Sequence, residues 1–152
     1  MTLIMRKSTT MQHSANDTSS ITIQAPAEKV WAALTTPALI KQWFFGVDTL
    51  TDWKVGSPIV HKGAWNGKPY EDKGTILKFE PPNRLVHNHW SPMSGRPDRP
   101  ESYQTVTYAL SERNGATELS VTEDNFPSEE ARALSQEIWK RVFSALKELV
   151  EE

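Results

Sequence analysis

Two histidines, His87 and His89, lie two positions apart in a stretch with strand character. Alternate residues of a strand point to the same face, so this spacing places the two imidazoles side by side. Such a pair can supply two metal ligands, with His61 or a carboxylate as the third. The alternative is two solvent-facing histidines on a sheet whose other face carries Val86 and Trp90. Because the sequence has no HExxH or similarly spaced metal motif, we predict no metal site.

Glu123 is a second candidate for chemistry, because it follows Leu119 and Val121 on one face of a strand. The two apolar residues should point into the core, so the carboxylate would lie near one end of an interior cavity. There it would fix a polar group of a ligand or act as a general acid or base. Tyr108 on the neighbouring strand would add a hydroxyl that needs a partner, with Glu123 or His61 within reach. The alternative is that both side chains reach the rim and contact water.

The remaining chemistry is limited by what the sequence lacks. It has no cysteine, no GxSxG motif and no glycine-rich phosphate loop, which excludes thiol catalysis, thiolate metal sites and a disulfide framework. We therefore predict no catalytic residue and no cofactor.

Length and charge favour one globular domain without a nucleic-acid or membrane partner. A chain of 152 residues is long enough for a single core. Its formal net charge of −2 leaves no basic excess to release counterions from a phosphate backbone. No apolar run approaches the roughly 20 residues of a membrane span, and the first residues lack a secretory h-region. These features favour a cytoplasmic protein.

The elements that must position these residues follow from the order of patterns along the chain. Residues 1–19 are polar and aperiodic, which predicts a disordered tail before a single domain over residues 20–152. That domain begins with an alternating strand at 20–25, followed by two short helices that start near Pro26 and Pro37. Five or six strands follow. They include tight hairpins at Asn66-Gly67 and Asn114-Gly115, and a candidate bulge at Gly74.

The last stretch, 128–152, predicts one long amphipathic helix with Ser128 as its N-cap. Its apolar side has a centre that we expect to press on the sheet, formed by Leu134, Ile138, Val142 and Leu149. Beside it lies a shoulder formed by Trp139, Phe143, Leu146 and Val150. This arc is wider than one flat partner surface requires. Either the helix packs against several elements, or part of its face is left to a ligand.

The fold class follows from these elements. Strands joined by short turns must be antiparallel, and such a sheet buries one face against the largest available helix. We predict an α+β fold in the order β-α-α-β5-6-α, with a curved antiparallel sheet wrapped around the long C-terminal helix.

Large aromatic residues supply the candidate lining of a ligand pocket. The chain has six tryptophans, a high count that suits either a packed core or a cavity wall. Together with the polar candidates His61, Tyr108 and Glu123, the predicted ligand-binding residues include six aromatics: Trp43, Phe44, Trp65, Trp90, Trp139 and Phe143.

The residues from Ala25 to Pro37, followed by Trp43-Phe44, resemble the opening of the START-like (SRPBCC) superfamily. More narrowly, they resemble the family named after the activator of the heat-shock-protein-90 ATPase. The turn 81–85 with Trp90, and Trp139 with the apolar spacing that follows it, match the same family. The resemblance covers residues 21–152 and implies the helix-grip fold. It also implies an apolar cavity between sheet and long helix, in which many members of the superfamily bind hydrophobic molecules, and a link to the stress response.

Three classes of function are compatible with these observations. The first is non-enzymatic binding of a small hydrophobic molecule, which requires an enclosed pocket of several hundred Å³. The second is a protein-interaction or co-chaperone-like module, or a homodimer, which requires an exposed apolar or charged patch. The third is a cyclase- or dehydratase-type enzyme, which requires convergent polar groups inside the pocket.

Overall fold

The computed structural model describes residues 16–152, which form one seven-stranded antiparallel sheet, two short helices and one long helix. The strands follow the spatial order β1-β7-β6-β5-β4-β3-β2. Their bounds are β1 Asp17–Ile23, β2 Asp48–Thr51, β3 Pro58–Trp65, β4 Lys68–Glu80, β5 Arg84–His89, β6 Gln104–Arg113 and β7 Ala116–Glu123. The α-helices are α1 Ala27–Thr35, α2 Pro37–Trp43 and α3 Glu129–Glu151, and two short 3-10 helices, Pro92–Ser94 and Pro100–Ser102, lie between β5 and β6. This architecture confirms the predicted α+β helix-grip fold, with six strands between α2 and α3.

The first strand begins at Asp17, three residues before the predicted start at Ser20. Its polar side chains have partners that the sequence pattern did not reveal. The hydroxyls of Thr18 and Thr122 lie 3.0 Å apart across the β1–β7 pair, and buried Asp17 accepts a hydrogen bond of 2.9 Å from the Gln136 amide. Most of the predicted tail, residues 1–15, lies outside the described residues.

Two tight turns set the register of the sheet. Asn66-Gly67 joins β3 to β4 and Asn114-Gly115 joins β6 to β7, with positive φ at all four residues. Two consecutive positive φ values belong to the hairpin turn whose twist matches that of the flanking strands. Both predicted hairpins are therefore confirmed.

Gly74 is not the bulge that the sequence suggested. The register between β4 and β5 shifts between Ile76 and Lys78, which places the irregularity at Leu77. Gly74 instead allows the backbones of β4 and β5 to approach closely, because a Cβ on it would lie 1.9 Å from the backbone oxygen of Asn88. A missing side chain is required there by the neighbouring strand and not by a bulge.

The long helix α3 begins as predicted, with the Ser128 hydroxyl accepting a hydrogen bond of 3.1 Å from the Ala131 N–H. Its buried side is rotated from the predicted one. Val142 is buried as expected, but the other buried residues come from the shoulder: Trp139, Phe143, Leu146 and Val150. Leu134 is exposed, and Ile138 and Leu149 are half-buried.

The rotation of α3 has a structural cause. The helix packs against β1, α1 and α2 as well as over the sheet, so its shoulder meets protein. Leu134 and Ile138 are thereby left facing an opening between the helix and the sheet. None of the helices in residues 16–152 is both long and apolar enough to cross a membrane.

Candidate functional site

A cavity of about 430 Å³ lies between the sheet and the N-terminal half of α3. Exposed apolar side chains stand at its edge, among them Phe45, Trp65 and Met93. Its lining comes from α3, from the five strands β3 to β7, and from the loops after α2 and after β5: Phe44, Phe45, Val47, His61, Trp65, Tyr70, Asp72, His87, His89, Met93, Val106, Tyr108, Glu123, Leu134, Ser135, Ile138 and Trp139. The volume falls within the range of roughly 300 to 1,000 Å³ that is usual for small-molecule sites.

Six of the nine predicted binding residues line this cavity: Phe44, His61, Trp65, Tyr108, Glu123 and Trp139. The other three lie elsewhere, and each has a structural reason. Trp43 is buried in the core, and its indole N–H donates to the Ala33 carbonyl of α1 at 2.9 Å. Trp90 donates to the Arg96 carbonyl at 3.1 Å under the loop after β5. Phe143 is buried behind Trp139, with ring centroids 5.4 Å apart.

Three histidines form the polar end of the cavity. His61 comes from β3, while His87 and His89 come from β5, where alternation puts both on the inner face. The His61 ring centroid lies 6.0 Å from that of His87 and 6.5 Å from that of His89. His87 is buried, so the solvent-facing alternative for this pair is wrong. Within residues 16–152, no group of three or more histidine and carboxylate side chains is arranged to hold a metal ion.

Each histidine ring in β5 has one nitrogen tied to a neighbour. His87 Nδ1 lies 2.8 Å from the backbone oxygen of Asn88, and His89 Nε2 lies 3.0 Å from Asp72 Oδ2. Both partners are acceptors, so each of these nitrogens carries its proton toward the partner. The rings are held in place by these bonds, and their second nitrogens are left for other contacts.

Burial keeps two of the histidines uncharged. Burial, followed by the smaller effects of the neighbouring His87 and His89, lowers the pKa of His61 to about 3. Burial also lowers the pKa of His87 to about 4, against the opposing effect of the Asn88 carbonyl. Both imidazoles are therefore neutral at pH 7, and each offers a lone pair.

Glu123 connects the end of β7 to α3. Its Oε1 accepts hydrogen bonds from the Ser135 hydroxyl and, at 3.0 Å, from the Trp139 indole N–H. Ser135 and Trp139 are four residues apart and so lie on the same face of the helix. The carboxylate thus holds the Trp139 indole at the cavity wall.

Tyr108 lies between the histidines and the aromatic wall. Its ring stacks on His87 at 6.1 Å and meets the edge of Trp139 at 6.1 Å. Burial and the charge of Glu123 raise the pKa of Tyr108 well above its ordinary value, so the phenol stays protonated. It presents a neutral hydroxyl within an otherwise aromatic part of the wall.

Several lining residues were missed by the sequence analysis. Tyr70 and Asp72 alternate on β4, and Asp72 pairs directly with His61 in the β3–β4 register. That pairing could have been read from the Asn66-Gly67 hairpin, because a two-residue turn fixes which residues face each other. Ser135 lies one helical turn before Trp139, a spacing that also pointed to a shared face.

The family model described as activator of Hsp90 ATPase homolog 1-like protein matches residues 24–151 of the chain. No curated protein matches it significantly. Among solved structures, the solution structure of ChR145 from Cytophaga hutchinsonii is 42% identical, with 90% of this chain and 94% of that chain covered and a TM-score of 0.77. The Aha1 dimer from Colwellia psychrerythraea is 25% identical, with 90% and 96% covered and a TM-score of 0.71. CalU16 from Micromonospora echinospora is also 25% identical, with 90% and 76% covered and a TM-score of 0.71.

Proposed function

The chain belongs to the family of activator of Hsp90 ATPase homolog 1-like proteins, and we propose that it binds a small, largely apolar molecule between its sheet and α3. The observation that carries this proposal is the cavity of about 430 Å³ with aromatic walls and one polar end. Native interiors are close-packed, so a space of this size lined by Trp139 and Phe44 is an unusual feature for a core. It is an ordinary feature of a binding site.

The distribution of apolar residues around α3 supports the same proposal. Its apolar arc exceeds what the sheet and the short helices cover, and the uncovered part, Leu134 and Ile138, lies at the cavity. A helix that served the core alone would gain by burying these side chains against protein, since each contributes roughly 1.5 to 3 kcal/mol when buried. Ligand burial would supply that contact.

Binding is favoured over catalysis by the way in which the polar groups are engaged. Glu123 accepts two hydrogen bonds from α3, and His89 is paired with Asp72. These contacts give Glu123 and the Asp72–His89 pair a role in holding the walls in position, as a receptor site requires.

The proposal predicts that filling the cavity abolishes binding. The variant Ile138→Trp adds a bulky side chain to the lining, whereas Leu50→Trp adds the same side chain at an exposed position of β2 outside it. We expect wild type and Leu50→Trp to bind the neutral dye N-phenyl-1-naphthylamine, and Ile138→Trp to bind it at least about tenfold more weakly, a loss of roughly 1.4 kcal/mol. Dye fluorescence measures the affinity, and native mass spectrometry of the wild type tests for a retained molecule. Equal dye binding by all three proteins would refute the proposal.

We also propose self-association as a second function of the fold in this chain. The specific support is the Colwellia relative, whose solved structure is an Aha1 dimer. A sheet whose edge strand β2 carries the exposed Leu50 offers a surface suited to a second copy. Light scattering after size exclusion is expected to give twice the monomer mass at micromolar concentration. The monomer mass at the highest soluble concentration would exclude this assembly.

A further inference from the structure

Two carboxylates line the cavity without a basic partner. The lining includes Asp72 and Glu123 and, within the described residues, no lysine or arginine. Over the same residues, Asp72 pairs only with the imidazole of His89, and Glu123 takes part in no ion pair. Carboxylates that lose water require a countercharge or further hydrogen bonds. A positive group is therefore the complement that this cavity lacks.

Glu123 is the carboxylate that a ligand can reach. Its Oε1 accepts hydrogen bonds from Ser135 and Trp139, whereas its Oε2 has no hydrogen-bond partner in residues 16–152. Each carboxylate oxygen has two lone pairs, so Oε2 retains its full capacity to accept. Asp72 is less available, because its Oδ2 lies 3.0 Å from His89 Nε2 and its Oδ1 is buried. That Oδ1 also has no partner among the described residues, which adds a second uncompensated negative oxygen to this part of the molecule.

Filling the cavity raises the cost of these charges. A bound molecule displaces water from Glu123, and a neutral molecule brings no countercharge in exchange. A carboxylate, phosphate or sulfate on the ligand would add a like charge to two that already lack a countercharge. A protonated amine has the opposite effect. It donates a charge-assisted hydrogen bond, which is shorter than one between neutral groups and about twice as strong.

Aromatic rings surround the same carboxylate. Glu123 Oε1 lies 3.0 Å from the indole nitrogen of Trp139. The Trp139 ring centroid lies 6.0 Å from that of Phe44 and 6.1 Å from that of Tyr108. Tyr108 and Glu123 are diagonal neighbours on adjacent strands, since Tyr108 pairs with Val121. Ring faces attract a cation that lies within about 6 Å of their centroids, so the rings and the carboxylate favour the same charge.

We infer that the ligand is a protonated amine on an apolar ring body, and that Glu123 binds its ammonium group through Oε2. The inference rests on the proposed function and specifies the chemistry of its ligand. The ammonium group lies away from His61 and His87, which stay uncharged. In the strand register His87 faces Val106 and Val106 faces Glu123. Two strand spacings, roughly 10 Å, therefore separate the backbones of Glu123 and His87.

Three probes that share one ring system and differ in one group test the charge of the ligand. They are 2-(aminomethyl)naphthalene, 2-(hydroxymethyl)naphthalene and 2-naphthoate, each titrated by calorimetry at pH 7. The alcohol keeps the shape of the amine and a hydrogen-bond donor but carries no charge. We expect the amine to bind at least about tenfold more tightly than the alcohol and the naphthoate, because only the amine supplies a countercharge to the carboxylate.

The variant Glu123→Gln removes the charge but keeps a side-chain oxygen that can accept from Ser135 and Trp139. It should lower the affinity for the amine to that of the alcohol in the wild type. Glu118→Gln is the matched control, because Glu118 is exposed on the same strand and lies outside the lining. It removes the same charge and should retain the preference for the amine. Circular dichroism confirms that each variant is folded. If Glu123→Gln does not fold, the three probes on wild type, with displacement of N-phenyl-1-naphthylamine by the amine, decide the question by themselves.

The outcomes separate this inference from the function on which it rests. Equal affinity for the amine and the alcohol, or tightest binding of the naphthoate, would overturn the inference and leave binding of apolar molecules intact. A preference for the amine that survives Glu123→Gln, or that Glu118→Gln also removes, would overturn the assignment to Glu123. Binding of N-phenyl-1-naphthylamine without binding of the amine would overturn the inference alone. Absence of binding for all three probes and for N-phenyl-1-naphthylamine would reject both.

Discussion

Replacing Gly74 with alanine is expected to lower the free energy of unfolding by about 3 kcal/mol or more. A Cβ at this position would lie 1.9 Å from the backbone oxygen of Asn88 and 2.7 Å from its carbonyl carbon. The obstacle is backbone of the adjacent strand β5, which cannot rotate away as a side chain can. The strands must separate locally, which also strains the 2.7 Å hydrogen bond from the Thr75 N–H to Asn88 Oδ1.

Gly63→Ala is the matched control for this prediction. Its Cβ would also be crowded, at 2.6 Å from the Tyr70 hydroxyl, but that atom is the far end of a side chain that can move. Urea unfolding followed by circular dichroism should show a much larger loss for Gly74→Ala than for Gly63→Ala. Equal losses, or no loss for Gly74→Ala, would contradict the close approach of β4 and β5.

Gly74→Ala is also expected to disturb the cavity. Asn88 lies between His87 and His89, and its carbonyl holds the His87 ring through Nδ1. Any shift of this segment moves both imidazoles. We therefore expect the folded fraction of Gly74→Ala to bind N-phenyl-1-naphthylamine more weakly than the wild type does.

Local sequence signals predicted the parts of the fold that depend on neighbours in the chain. The two Asn-Gly turns predicted hairpins because asparagine and glycine adopt positive φ at two successive positions with little steric cost. Alternation on β6 placed Val106, Tyr108 and Leu110 on the buried face, as the structure has them. These signals need only a few adjacent residues, so a single sequence reveals them.

The role of each tryptophan was not predictable in the same way. Trp43 and Trp139 have the same side chain and lie on amphipathic helices, yet the first fills the core and the second lines the cavity. The difference arises from the packing of α1 and α2 against α3. The same packing buries the shoulder of α3 and not the side that the sequence predicted. That packing depends on contacts between residues that are far apart in the chain, which local sequence patterns do not reveal.

The histidine cluster shows most clearly what the sequence alone could not predict about the site. Alternation correctly put His87 and His89 on one face, but it does not say whether that face is inside or outside. The decision comes from the register of the central strands, in which His87 faces Val106 and Val106 faces Glu123. His61 joins them only because the sheet curves and brings β3 toward β5 across β4.

Acidification from pH 7 to pH 5 is expected to lower the free energy of unfolding by about 3 kcal/mol through His61 and His87 alone. Burial lowers the pKa of these imidazoles from 6.5 to about 3 and about 4 in the folded chain. The unfolded chain, in which both are solvated, binds protons at the higher pKa. Below pH 6.5 it therefore takes up protons that the folded chain excludes.

The sign of this effect follows from that difference in bound protons. Stability rises with pH wherever the unfolded state binds more protons, which is the window from about pH 3 to pH 6.5 for His61 and from about pH 4 to pH 6.5 for His87. The contribution of the two histidines is fully present above this window and is lost as the pH falls through it. Each can contribute up to about 1.4 kcal/mol per pH unit inside the window.

The double variant His61→Gln/His87→Gln isolates this contribution, because every other titratable group that faces the cavity stays in place: Tyr70, Asp72, His89, Tyr108 and Glu123. Urea unfolding at pH 7 and pH 5 gives the loss of stability for each protein. Wild type should lose about 3 kcal/mol more than the double variant over this interval. An equal loss in both proteins would mean that these two rings gain protons as readily in the folded chain as in the unfolded one.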